Sequence, residues 1–224
     1  MKKKLIFTKP IYSINFLVFL PLLFFNLLSI PEVFSKTEKT SFPDSFEWCV
    51  ATASHQIEGN NKDSDWWEFE RRGKTIENED RSTIATDHWN RLEEDTQILV
   101  DLGVKTYRFS LEWAKIEPQP GKWNQEAIDH YKKEILLLKK NNIKPFITLN
   151  HFSIPYWFAK KGGWASPQAP IFFNRYVSKV FENLGELGVE SWVTFNEPVW
   201  NLISGYVLGA FPPGKKDLKL FGNA

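Results

Sequence analysis

The chain has 224 residues, with 28 basic and 27 acidic side chains and a net charge of +1. It carries no basic excess for neutralising phosphates, which excludes nucleic acid as a partner. The single cysteine, Cys49, excludes an internal disulfide and a cysteine-rich metal site, and His55, His88, His130 and His151 lack ligand spacing, so neither a metal nor a cofactor is expected. Aromatics make up 16% of the residues, with 10 Trp. Such rings fill a core, and their flat faces also suit the apolar C–H faces of sugars.

The first elements read as an export signal. Lys2, Lys3 and Lys4 precede a largely apolar stretch over 11–30, a basic region before a hydrophobic one. Cleavage after Ser35 is one expectation for residues 1–35. An uncleaved membrane anchor is the other, because the stretch also approaches bilayer length. Either outcome puts the folded part, residues 36–224, outside the cytoplasm in the periplasm or medium, with the membrane touched only through the N-terminal segment.

Beyond residue 41 strands and helices alternate. Residues 49–53 form a short apolar strand pattern, and 86–102 carry Trp89, Leu92, Ile98, Leu99 and Leu102 at helical spacing before Gly103. Residues 104–111 read as a strand. Residues 124–141 read as a helix with Asn124 as N-cap and Ile128, Ile135, Leu136 and Leu138 near one face. A strand over 144–149, a helix over 170–187 and a strand over 190–195 follow. Gly103, Asn142 and Gly188 sit at three equivalent helix-to-strand junctions.

Strands alternating with helices imply an α/β fold with a parallel sheet. A doubly wound sheet calls for a glycine-rich phosphate turn after the first strand, and residues 51–56 are not one. A (β/α)₈ TIM barrel calls for polar groups at the C-terminal end of each strand. His55 and Gln56, Arg108, Asn150 and His151, and Asn196 and Glu197 meet that requirement four times.

At these strand ends the chain resembles glycoside hydrolase family 1, the β-glucosidase family. The resemblance is carried by Ala51-Thr52-Ala53-Ser54-His55-Gln56-Ile57-Glu58-Gly59, Tyr107-Arg108-Phe109-Ser110-Leu111-Glu112-Trp113, Thr148-Leu149-Asn150-His151-Phe152 with Gly162-Gly163-Trp164, and Thr194-Phe195-Asn196-Glu197-Pro198, in order across about residues 42–214. The resemblance implies the N-terminal half of a TIM barrel, about four βα units. It implies hydrolysis of a β-linked glycoside or oligosaccharide by a retaining mechanism. Glu197 is then the general acid/base, Asn196 binds the 2-hydroxyl, Gln56 and His151 bind the 3- and 4-hydroxyl region, and Arg108 supports the nucleophile carboxylate. Glu58, His55, Asp87 and His88 also match family positions, for which structural roles are expected, and Trp66 and Trp67 are expected to pack in the core or a loop.

The chemistry requires these residue types. A glycosidic oxygen leaves only if protonated, so its acid must hold a proton near neutrality in an apolar setting or beside another carboxylate. Phe195, Pro198 and Trp200 are candidates for that setting. Arg108, within an apolar strand, is expected to pair with a carboxylate. The sequence departs from the family at His55 (commonly Tyr), Phe152 (commonly Trp) and Asn150 (commonly His or an aromatic). The family's nucleophile motif, Glu-Asn-Gly on the seventh strand, does not follow Glu197. Three readings follow: a truncated or split gene product inactive alone, a separately encoded C-terminal half-barrel as partner, or a noncatalytic carbohydrate-binding or interaction module. The motifs leave glucoside, galactoside, fucoside and phospho-sugar substrates open.

Overall fold

The computed structural model describes residues 41–224, so the signal or anchor segment lies outside the described residues. Within residues 41–46 the rings of Phe42 and Phe46 stack at 4.4 Å. Residues 47–224 form a separate unit built on a four-stranded sheet.

Strand β1 (Cys49–Ala51) is followed by the short helices α1 (Ser54–Ile57) and α2 (Asp65–Arg71), then α3 (Leu92–Asp101). Strand β2 (Thr106–Ser110) leads to α4 (Trp113–Ile116) and α5 (Gln125–Lys140). Strand β3 (Lys144–Asn150) leads to α6 (Tyr156–Lys160) and α7 (Ala169–Leu184). Strand β4 (Ser191–Phe195) leads to α8 (Pro198–Leu202), a π-helical turn at Ile203–Leu208 and α9 (Leu218–Asn223). The order is β1-β2-β3-β4 and every pairing is parallel, in register Ala51↔Arg108, Ser110↔Thr148 and Asn150↔Phe195. Strands neighbouring in sequence and in space, joined by helices, are half of the expected barrel.

Side chains alternate across a strand, and register partners share a face. Tyr107, Phe109, Ile147 and Leu149 lie on one face of β2 and β3 and are buried. They belong to a core that takes in Ile128, Tyr131, Ile135 and Leu138 of α5 and Tyr176, Val180 and Leu184 of α7. Trp113, fully buried, stacks on Tyr176 at 4.7 Å and meets Phe158 at 5.2 Å. Fully burying each such side chain contributes roughly 1.5–3 kcal/mol. The other face of the same strands holds Arg108, Ser110, Thr148 and Asn150, so β2 is apolar on its helix side alone.

The expected turn chemistry holds. Asn124 caps α5 by accepting from the amide of Ala127 at 3.3 Å. Gly103, Asn142 and Gly188 have φ of +69°, +59° and +68°, the left-handed region where Gly and Asn fit most easily. Two expectations need correction. The helix over 86–102 begins only at Leu92, because the amides of His88 and Trp89 donate to the carbonyls of Ile57 and Glu58 rather than to a helical turn. Leu136 is 51% exposed, and Tyr131 takes the core position on α5.

Candidate active site

The strand ends and the loops after them bring the candidate residues to one side of the sheet. Arg108 reaches across three strands: its Nε donates to Thr148 Oγ1 at 3.0 Å and its Nη2 to Asn196 Oδ1 at 2.8 Å. The amide of Asn196 donates to the carbonyl of Asn150 at 2.9 Å, extending the β3–β4 ladder by one bond. Asn196 is thus fixed at main chain and side chain. Among the described residues Arg108 thus bonds two neutral acceptors, and the carboxylate expected as its partner lies outside them.

Glu197 follows directly, with φ +41° and ψ +56°. For a residue with a Cβ this conformation is strained. It turns the chain from β4 into α8, where Pro198 takes the first helical position and needs no amide partner. The Glu197 side chain makes no capping bond to that helix, which removes the plain capping role. It is exposed, as are Pro198 and Trp200, so the apolar setting expected from Phe195, Pro198 and Trp200 is not formed around it by these residues.

Gln56 and His151 line one cavity of about 530 Å³, together with His55, Trp66, Phe152 and Phe211. This is within the size range of small-ligand sites. The rings run in sequence around it: His151–Phe152 at 4.8 Å, Phe152–Phe211 at 5.4 Å, Phe211–Trp66 at 4.9 Å and Trp66–His55 at 5.9 Å. Trp67 is buried, but Trp66 faces the cavity, so the expectation that both only pack is corrected for Trp66. Burial, with help from the Arg108 charge, pushes the His151 imidazole down to about 4. It is therefore neutral at pH 7, able to donate from one nitrogen and accept at the other. Glu197 does not line this cavity, and Asn196 lines a smaller one of about 150 Å³ beside Asn150 and Trp164.

A second polar network is buried around Glu112, with Asn61 Oδ1 and Glu58 Oε2 left without a hydrogen-bond partner among the described residues. Glu112, fully buried, accepts from Ser153 Oγ at 3.0 Å, Asn61 Nδ2 at 3.2 Å, Ser54 Oγ at 3.3 Å and the Ala114 amide at 3.2 Å. Its own amide donates to Tyr131 Oη, which donates to Glu58 Oε1 at 2.6 Å. Burial raises the Glu58 carboxyl, with Glu112 adding to the rise and Lys115 opposing it. His88 bridges Asp95 at 2.6 Å and Glu134 at 3.4 Å. These are the structural roles expected for Glu58 and His88.

A half-sheet of parallel βα units with polar groups and an aromatic wall at its C-terminal end is the architecture of part of a TIM barrel. The comparisons make this specific. The family model described as Glycosyl hydrolase family 1 matches residues 38–222, and the chain belongs to that family. A 1,4-beta-D-glucan glucohydrolase of Thermotoga neapolitana is 41% identical over 183 residues, covering 79% of this chain and 43% of that protein. Beta-glucosidase A of Thermotoga maritima is 40% identical, covering 79% of this chain and 41% of that protein. The solved family 1 β-glucosidase from Thermotoga maritima superposes with a TM-score of 0.78 at 39% identity, covering 81% of this chain and 42% of that chain, and it has also been solved with castanospermine and with cyclophellitol. The chain thus spans about two fifths of the length of the relatives it matches.

Proposed function

We propose that residues 41–224 supply the acid/base side of a retaining β-glucosidase site. Glu197 protonates the leaving glycosidic oxygen and later deprotonates the attacking water. Asn196 donates from its amide nitrogen to the sugar's 2-hydroxyl, since Arg108 already occupies its oxygen. Gln56 and neutral His151 bind hydroxyls further round the ring, and the Phe152–Phe211–Trp66 wall packs on its C–H face. The observation that carries the reading is the Arg108–Asn196 bond, which fixes the residue next to an otherwise uncommitted carboxylate.

Retaining chemistry needs a second carboxylate about 5–5.5 Å from the first. Glu58 and Glu112 are locked in the network below, Glu117 takes bonds from Trp113 and Gly121, and Glu70 is bonded to His55 and Ser82. The family resemblance implies a nucleophile on a seventh strand, so we assign it to a C-terminal half-barrel, in the same or a separate polypeptide, and expect residues 41–224 alone not to turn over. The basic and apolar start of the sequence supports export, which N-terminal sequencing of the secreted protein tests.

The experiment is a chromogenic β-glucoside assay on the chain alone, beside Glu197→Gln. Rates equal to that control are expected. Turnover that disappears in the control would overturn the division of labour. The aromatic wall favours a second reading, sugar binding without hydrolysis. It predicts saturable heat with cellobiose that Gln56→Ala abolishes, and absence of heat counts against it.

A further inference from the structure

The wall of the cavity opposite His151 is the segment 76–85, and its backbone is strained. Asn78, Glu79, Thr83 and Ala85 have φ of +55°, +56°, +37° and +50°, four residues with a Cβ in the left-handed region. Each costs on the order of 1 kcal/mol, so the segment keeps this shape only if its surroundings impose it. Two contacts do so. The amide of Asn60 donates to the carbonyl of Thr83 at 2.6 Å, where Gly59 lies so close that a Cβ would stand 2.1 Å from the Ile84 oxygen. The other is Glu70 on α2.

Glu70 is buried, and both its oxygens are used in opposite directions. Oε2 accepts from the amide of Ser82 at 3.0 Å and from its hydroxyl at 2.9 Å, and Oε1 faces His55 Nε2 at 2.9 Å. One carboxylate thus joins the strained wall to α1, the helix that carries Gln56. Burial alone would raise the Glu70 carboxyl, but the bonds from His55 and Ser82 more than offset it and hold it below the usual range. Ser82, His55, Gln56 and Glu70 itself all line the cavity.

We propose that Glu70 is a positioning residue that latches the 76–85 wall to the Gln56 helix and so sets the shape of the sugar cavity. It touches no reacting atom and acts through Ser82 and His55. The proposal rests on the reading above that this cavity receives a β-linked sugar. It makes the wall one rigid piece with the helix that carries Gln56, so that affinity for the sugar depends on how Glu70 holds Ser82 and His55.

The test uses the full chain, with hydrogen–deuterium exchange over 76–85 and calorimetry with cellobiose. Glu70→Ala is expected to speed exchange of 76–85 about tenfold or more and to weaken cellobiose about tenfold, while exchange of β2 and β3 stays unchanged. Glu70→Gln should restore most of both. Its amide oxygen still accepts from Ser82, and its amide nitrogen donates to His55 Nε2 once the imidazole proton moves to Nδ1. Exchange over 76–85 indistinguishable from the parent chain in Glu70→Ala would overturn the proposal. If Glu70→Ala also loosens β2 and β3, Ser82→Ala decides: faster exchange confined to 76–85 supports the latch, and no change overturns it. A parent chain that gives no heat with cellobiose sinks the sugar reading, while the exchange arm still decides whether Glu70 is the latch.

Discussion

Two polar regions at the same end of the sheet use the same residue types to opposite effect. In the lower one, Glu112, Glu58, Asn61, Ser54 and Tyr131 are buried and bonded mainly to one another. In the upper one, Gln56 and Glu197 are exposed, and buried His151 Nδ1 has no hydrogen-bond partner among the described residues. A buried polar group left unbonded costs about 1–3 kcal/mol, and each region carries at least one, Asn61 Oδ1 in the lower and His151 Nδ1 in the upper. What separates them is that the lower carboxylate, Glu112, accepts four bonds while Gln56 and Glu197 face solvent. The difference lies in partners, not in composition.

The sharpest way to break that comparison is to remove a carboxylate from each region. Glu112→Ala leaves four donors without their acceptor and should cost on the order of 3–5 kcal/mol in urea unfolding, whereas Glu197→Gln should change stability by less than about 0.5 kcal/mol. Equal losses would erase the distinction.

Next in size is pH. Burial alone would lower the His88 imidazole, but the bonds to Glu134 and Asp95 override it and raise it to about 9. A group with a raised folded pKa stabilises fully below its unfolded value, near 6.5, and that contribution is lost as pH rises through 9. His88 alone should therefore contribute on the order of 3 kcal/mol to the difference between pH 6 and pH 10, a share that His88→Gln should remove from the unfolding profile. His151 runs the other way: its folded pKa of about 4 makes the chain less stable as pH falls from 6.5 to 4.

The smallest effect sharpens the lower region. Tyr131→Phe removes one hydroxyl that joins the Glu112 amide to Glu58 and should cost about 1–3 kcal/mol. Binding at Gln56 and His151 should not change, as cellobiose calorimetry would show.

The sequence made the sheet and the placement of its polar strand-end residues readable for a physical reason. Strand ends must present backbone and side chains to the mouth, so Gln56, Arg108, His151 and Asn196 fall at countable positions. What it concealed was pairing across space. Arg108 looked anomalous in an apolar strand because one dimension does not show that Thr148 and Asn196 come within reach of its guanidinium. The early start assigned to the helix before Gly103 failed similarly, since the carbonyls of Ile57 and Glu58 that capture residues 88 and 89 lie about thirty positions away. Glu70 gave no signal at all: within Asp65–Arg71 it reads as one more charge on a short helix.

The left-handed conformation of Glu197 has a consequence for how such a chain drifts under mutation. Glycine would adopt φ +41° without strain, so at this position the fold and the chemistry favour different residues. Phe152, with φ +67° on the cavity wall, stands in the same conflict. Selection for robustness alone would favour glycine at both positions. Their retention, traced across descendants of this sequence, is a record of whether the mouth is still in use.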